Sequence, residues 1–169
     1  MDDCARRKVT SSTWAIRSLR RPGSRCRQTS LSGHEQKSAD VAVYLDSSAL
    51  VRLVVTERDS PALRAFLAGR PDRVACALAR VEVLRSVRPH GVAALRRAGH
   101  VLGRTGIIQL DEPLLDLAAE IGPNGLRSLD AVHLAAATLL GDDLDAVVTY
   151  DRRMAGAAND LGMATAAPS

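Results

Sequence analysis

The sequence is poor in aromatic residues, which make up 2% of its 169 residues. Beyond residue 40 the aromatic side chains are Tyr44, Phe66 and Tyr150. Proteins that bind single-stranded nucleic acid by base stacking need aromatic side chains on their surface, so that mode of binding is disfavoured here. The hydrophobic core must instead be built from Ala, Leu and Val.

Lysine is also scarce, with only Lys8 and Lys37 among the 23 basic residues. A signalling receiver domain and a P-loop NTPase each need a lysine in the active site, and none follows Lys37. No Gly-x-Gly-x-x-Gly sequence follows a predicted strand, so a dinucleotide-binding oxidoreductase is poorly supported.

The three cysteines, Cys4, Cys26 and Cys76, are odd in number and lack a metal-ligand spacing. They predict reduced thiols in a cytoplasm rather than a disulfide framework, with Cys76 as a small core residue. No apolar run reaches the roughly 20 residues that a bilayer span requires. We therefore expect no membrane association.

The net charge of +4 is divided unevenly along the chain. Residues 1–40 hold nine basic against four acidic side chains, whereas residues 41–169 hold fourteen against fifteen. The segment 1–40 also lacks helical or strand periodicity and is expected to be disordered. It could be a basic nucleic-acid arm, a targeting peptide, or a segment absent from the native protein because translation starts at Val41 or Val43. We favour the third interpretation, because the excess of Arg over Lys is typical of a GC-rich genome.

From Val41 onward, short apolar runs alternate with helical spacings. This alternation predicts an α/β fold in which a parallel sheet of four to five strands is covered by helices on both faces. The predicted strands are Val41–Leu45, Arg73–Cys76, Gly106–Leu110 and Asp145–Thr149, with Met163–Ala166 as a candidate fifth.

Four acidic residues stand beside these elements. Asp46 ends the first strand, Glu82 lies on the helix after the second, Asp130 opens a largely apolar helix, and Asp151 follows the fourth strand. Each has a purely structural alternative: Asp46 and Asp151 could cap helices, Asp130 could complement a helix dipole behind a Ser128 cap, and Glu82 could face solvent.

Taken together, these acids predict a cation site. Two carboxylates about 4 Å apart repel by roughly 4 kcal/mol at an effective dielectric constant near 20, so a carboxylate cluster takes up protons or binds a cation. Oxygen ligands favour Mg²⁺ or Mn²⁺. Such ions can activate water and stabilise the attacking and leaving oxygens of a phosphodiester.

Four segments of the sequence contain these acids. They are Leu-Asp-Ser-Ser-Ala-Leu at 45–50, Arg-Val-Glu-Val-Leu-Arg at 80–85, Leu-Arg-Ser-Leu-Asp-Ala-Val-His-Leu-Ala at 126–135 and Val-Thr-Tyr-Asp-Arg-Arg at 148–153. Together they closely resemble the PIN-domain nucleases, specifically the VapC toxins of bacterial toxin–antitoxin pairs. The resemblance covers Val41 to the C-terminus. Residues 1–40 lie outside the family pattern.

The resemblance implies a three-layer α/β/α sandwich with an RNA substrate, Mg²⁺ or Mn²⁺ as cofactor, a homodimer and a VapB-type antitoxin as partner. Carried over to this sequence, it makes four residues the catalytic and metal-binding acids. Four more are candidates for orienting those acids or positioning substrate. The acids are Asp46, Glu82, Asp130 and Asp151, and the supporting residues are Ser47, Arg85, Arg127 and Thr149.

His133, three residues after Asp130, could be a further ligand, but a hydrogen-bonded core histidine is the preferred interpretation. Two other functions remain open for the whole domain. One is a PIN nuclease that processes RNA without an antitoxin, and the other is a catalytically inactive binding module.

Overall fold

Five parallel strands form one sheet in the computed structural model, which describes residues 41–169. The strand order is β3-β2-β1-β4-β5, so β1 is central, and every neighbouring pair is parallel. The predictions made for residues 1–40 lie outside the described residues. The strands are β1 Ala42–Leu45, β2 Arg73–Cys76, β3 Gly106–Ile108, β4 Leu144–Val148 and β5 Thr165–Ala166.

Seven α-helices connect or follow these strands in the described part of the chain. Short 3₁₀ turns at Arg88–His90 and Gly141–Asp143 precede α4 and β4. The helices are α1 Ser47–Val54, α2 Ser60–Ala68, α3 Leu78–Val87, α4 Gly91–Leu102, α5 Glu112–Glu120, α6 Ser128–Thr138 and α7 Arg152–Asp160.

Alternate residues of β1 enter two separate hydrophobic cores. Val43 and Leu45 pack with apolar residues of α1 to α4, whereas Ala42 and Tyr44 pack with apolar residues of α5 to α7. A strand buried on both faces is expected for a parallel sheet covered on both sides by helices. The three-layer α/β/α sandwich and its parallel sheet are therefore confirmed.

The structure decides two of the predicted helix caps. Asp46 is the N-cap of α1, as one of its two interpretations predicted, and its carboxylate accepts the backbone N–H groups of Ser47 and Ser48. The N-cap of α6 is Arg127, whose backbone is extended, so the prediction of a Ser128 cap was wrong. Ser128 is already helical, and the first turn of α6 carries an acidic side chain instead.

Among residues 41–169, no helix has the length and apolar character needed to cross a membrane.

The loop between α5 and α6 depends on the absence of a side chain at Gly122. Its φ is +81°, and a Cβ atom built there would lie 2.8 Å from Cδ2 of Leu126. Leu126 in turn packs against the core that contains α6. This loop leads directly into α6.

We predict that Gly122→Ala lowers the free energy of unfolding by about 1–2 kcal/mol, because an L-residue in the left-handed region is strained and its Cβ meets Leu126. Gly125→Ala is the matched control, since a Cβ at that position meets no atom within 4 Å. Urea denaturation of both variants measures the difference. Equal stabilities would show that the loop tolerates a side chain at Gly122.

Candidate active site

The carboxyl ends of two neighbouring strands bring together two of the predicted site segments. Asp46 directly follows β1, and Thr149 directly follows β4. The backbone N–H of Asp46 donates to the Val148 carbonyl at 3.0 Å, which joins the two strand ends. This edge of a parallel sheet is where α/β proteins place their ligands.

The Asp46 carboxylate is buried and fixed by hydrogen bonds to both of its oxygens. Oδ1 accepts from the Ser47 backbone N–H at 2.6 Å. Oδ2 accepts from the Ser48 hydroxyl at 2.7 Å and from the Thr149 hydroxyl at 2.9 Å. Asp46 therefore caps α1, and the same contacts hold its carboxylate in one orientation.

Ser48 and Thr149 also tie the turn after β1 to the turn after β4. The Ser48 hydroxyl accepts from the Tyr150 backbone N–H at 2.9 Å, and the Thr149 hydroxyl accepts from the Asp151 backbone N–H at 3.1 Å. Asp151 then caps α7, accepting the backbone N–H groups of residues 153 and 154. Asp151 is therefore a helix cap, as the alternative interpretation predicted, and it lies beside Asp46.

Asp130 contributes a carboxylate from the first turn of α6. Its Oδ2 is buried and has no hydrogen-bond partner. Burial and the negative charges of Asp151 and Asp46 raise the pKa of Asp130, although the charges of Arg127 and Arg153 partly oppose this. Asp130 is therefore close enough to Asp151 and Asp46 to be repelled by both.

Glu82 lies on α3 and reaches this cluster through other residues. Its Oε2 accepts from the Ser47 hydroxyl and lies 2.8 Å from Nε2 of His133. Burial raises the pKa of Glu82, but the hydrogen bonds from His133 and Ser47 and the His133 charge outweigh burial and leave this pKa below its ordinary value. The same Nε2 lies 3.9 Å from Oδ1 of Asp46. Glu82 is thus an ionised, paired carboxylate.

His133 is a buried, hydrogen-bonded histidine, as predicted, with 2% of its surface exposed. Its Nδ1 lies 2.9 Å from the Tyr44 hydroxyl and 3.5 Å from Sγ of Cys76. Burial lowers the pKa of His133, but the contacts with Cys76 and Glu82 prevail and raise it to about 10. The apolar sequence around His133 favours a core role and does not indicate the contact with Glu82; the i, i+3 spacing from Asp130 was the available indication.

Arg127 and Arg153 lie near the carboxylates, whereas no salt bridge within residues 41–169 joins Arg85 to them. Arg85, on α3, and Arg127, at the start of α6, are both exposed. Arg153 is also exposed, and its Nη2 lies 3.9 Å from Oδ2 of Asp151. The negative cluster therefore has positive side chains at its rim.

The cluster is an incomplete ligand set on its own. Within residues 41–169, no group of three or more His, Cys, Asp or Glu side chains is arranged so that it could hold a metal ion. Oxygen ligands from water or a substrate would have to complete a cation site here.

The PIN domain family model matches residues 43–160, a range that contains all four of the predicted acids. The chain belongs to the PIN domain family. Three relatives from Mycobacterium tuberculosis place this PIN domain with the VapC ribonucleases. Ribonuclease VapC46 is 48% identical over 76% of this chain and 98% of its own length. Ribonuclease VapC47 is 40% identical and Ribonuclease VapC35 38% identical, each over 75% of this chain and 96% of its own length.

The fold is also similar to that of a solved structure. The crystal structure of PAE2754 from Pyrobaculum aerophilum superposes with a TM-score of 0.50 and 25% sequence identity. The match covers 72% of this chain and 82% of that chain.

We predict that Asp130→Asn makes the metal-free PIN domain more stable at neutral pH. The pKa of Asp130 is higher in the folded protein than in the unfolded chain, so ionisation of Asp130 opposes folding. This penalty is absent below the unfolded pKa and grows as pH rises through the folded pKa. The gain in melting temperature should therefore be present at pH 7 and fade toward pH 4.

Thermal unfolding in EDTA at a series of pH values measures this effect. Asp142→Asn is the control, because Asp142 is exposed in the 3₁₀ turn before β4, at the opposite edge of the sheet. A loss of stability in Asp130→Asn at pH 7 would contradict the proposed repulsion.

Proposed function

We propose that residues 41–169 form a Mg²⁺- or Mn²⁺-dependent endoribonuclease that acts as the toxin of a toxin–antitoxin pair. In this proposal, Asp46, Glu82, Asp130 and Asp151 form the catalytic, metal-binding site. The family membership supports ribonuclease chemistry, and the relatives' name, ribonuclease VapC, supports the toxin role.

The observation that carries the proposal is the state of Asp130. A buried carboxylate oxygen without a hydrogen-bond partner is costly, and here it lies among further carboxylates that raise the Asp130 pKa. A structural salt bridge would have supplied a positive partner. A divalent cation would satisfy this oxygen and remove the repulsion at once.

The donors at this edge suit Mg²⁺ or Mn²⁺ in kind. They are carboxylate oxygens, which these hard cations prefer. Mg²⁺ usually keeps several waters and binds one or two carboxylates together with substrate phosphates, so it does not require three preassembled protein ligands. The incomplete cluster around Asp130 is therefore compatible with a cation held jointly by protein and RNA.

In the mechanism, the residues of this chain hold and orient the reacting groups. When bound, the cation supplies Lewis-acid polarisation of the scissile phosphodiester. The Thr149 and Ser48 hydroxyls and the Ser47 backbone fix the Asp46 carboxylate, so that little reorganisation accompanies reaction. Asp151 is held by its cap hydrogen bonds in the same way.

Arginine side chains are suited to hold the RNA backbone at this site. Arg127 and Arg153 lie close enough to Asp130 for their charges to lower its pKa, and Arg85 is exposed one turn after Glu82. Guanidinium groups bind phosphate in a bidentate manner. Contacts to phosphate position the strand without reading its sequence.

We also propose that the domain forms a homodimer and binds a VapB-type antitoxin. The relatives' VapC names support the antitoxin, and exposed apolar side chains support protein contacts. Val81 on α3 and Val92 on α4 are 56% and 63% exposed, respectively. Contiguous exposed apolar patches mark protein interfaces, and α3 and α4 pack against each other.

RNA cleavage by the purified protein tests the proposed function. With Mg²⁺ or Mn²⁺, the wild type should cleave RNA. Asp46→Ala and Asp130→Asn should reduce the rate at least about a hundredfold, because each removes several kcal/mol of transition-state stabilisation. EDTA should abolish cleavage, and added Mg²⁺ should restore it.

Asp142→Asn is again the matched control and should cleave at the wild-type rate. Cleavage that survives both EDTA and the Asp46→Ala substitution would contradict the metal-dependent mechanism. A metal-bound wild type that leaves RNA intact would instead favour an inactive binding module.

A further inference from the structure

We infer that His133 is a positioning residue that holds Glu82 in place for the cation through a hydrogen bond from Nε2. The inference rests on the proposed function, because it takes Glu82 to be a metal-binding acid. It adds to the site a residue whose sequence context favours a role in the core.

One oxygen of Glu82 has two hydrogen-bond partners. Oε2 of Glu82 lies 2.8 Å from Nε2 of His133, and the Ser47 hydroxyl donates to the same oxygen. An ionised carboxylate only accepts hydrogen bonds, so Nε2 of His133 must carry the proton and donate it. Two donors thus fix one oxygen of Glu82, and no hydrogen bond within residues 41–169 occupies the other.

Buried residues of the core hold the His133 ring in place. Its Nδ1 lies 2.9 Å from the Tyr44 hydroxyl, and that hydroxyl accepts the Cys76 backbone N–H at 3.2 Å. Tyr44 is fully buried, and both β1 and β2 therefore determine where His133 points. A chain of hydrogen bonds connects the centre of the sheet to Glu82.

Nε2 of His133 faces two of the proposed metal-binding acids. It lies 2.8 Å from Oε2 of Glu82 and 3.9 Å from Oδ1 of Asp46. Residues that orient metal ligands by hydrogen bonds usually change metal affinity 10- to 100-fold when replaced. His133 and Glu82 are 51 positions apart in sequence, so the contact is produced by the fold.

Two amide substitutions distinguish the contribution of Nε2 from that of Nδ1. In His133→Gln, the amide nitrogen can take the place of Nε2 and still donate to Glu82. In His133→Asn, the side chain is shorter by one methylene and can reach toward Tyr44 but not to Glu82. Both variants lose the ring, so the packing defect is shared, and thermal melting checks that both are folded.

Mn²⁺ binding, measured from the electron paramagnetic resonance signal of free Mn²⁺, tests the inference without relying on activity. We expect His133→Asn to raise the Mn²⁺ dissociation constant about tenfold or more, and His133→Gln to restore affinity close to that of the wild type. In a Glu82→Gln background, His133→Asn should add less than about twofold, because its effect acts through Glu82. Equal losses in the two His133 variants, or an undiminished effect in the Glu82→Gln background, would overturn the inference.

Nuclear magnetic resonance of the metal-free protein with ¹⁵N-labelled histidine gives a second readout. His133 should show a slowly exchanging Nε2–H proton. The loss of this signal in His133→Gln assigns it. Its chemical shift should change in Glu82→Gln. An unshifted signal would overturn the inference. If the wild type binds no Mn²⁺ while this signal behaves as expected, the proposed function fails and the contact stands. If the wild type binds Mn²⁺ and His133→Asn binds it equally well, only the role of His133 fails.

Discussion

The carboxylate of Asp46 is the point at which the strands, helices and candidate site of this protein meet. It ends the central strand β1, caps α1 and accepts the Thr149 hydroxyl from the end of β4. Helix N-termini stabilise negative charge, so the fold itself favours an anionic side chain at this position. The other acids of the proposed site take their places around this fixed group.

The site combines stabilised and destabilised carboxylates. Asp46, Asp151 and Glu82 are each held by several hydrogen bonds, whereas Asp130 has a buried oxygen without one. The pKa of Asp130 is raised, and that of Glu82 is lowered by its pairing with His133. Perturbed pKa values of opposite direction within one small region are characteristic of functional sites. Binding of a cation would stabilise the site most at the unsatisfied oxygen of Asp130.

Much of the architecture could be predicted from the sequence because the pattern is local. The apolar run of β1, with Val43 and Leu45 alternating with Tyr44, indicated a strand buried on both faces, and the structure places those side chains in two cores. The prediction that the strand-end acids lie at the same edge of the sheet depended only on the parallel pairing of the strands. The start of α6 was placed one residue too late, because Ser128 resembles a cap in sequence although Arg127 occupies that position.

The tertiary part of the site could not be predicted in this way. The apolar surroundings of His133 on α6 are those of a core residue, and no local pattern shows that Glu82 lies against it. Likewise, the missing hydrogen bond of Asp130 depends on how α6 meets the ends of β1 and β4. The resemblance to PIN domains identified the set of four acids. The structure shows that the hydrogen bonds of these acids differ.

The most direct test of the account is the shift in melting temperature that Mg²⁺ causes. A cation that binds only the folded protein stabilises it by about 2.7 kcal/mol at a hundred times its dissociation constant, which corresponds to several degrees for a domain of this size. The account predicts such a shift for the wild type and its near absence in Asp130→Asn. Equal shifts in the two proteins, or none in either, would contradict a cation held at these carboxylates.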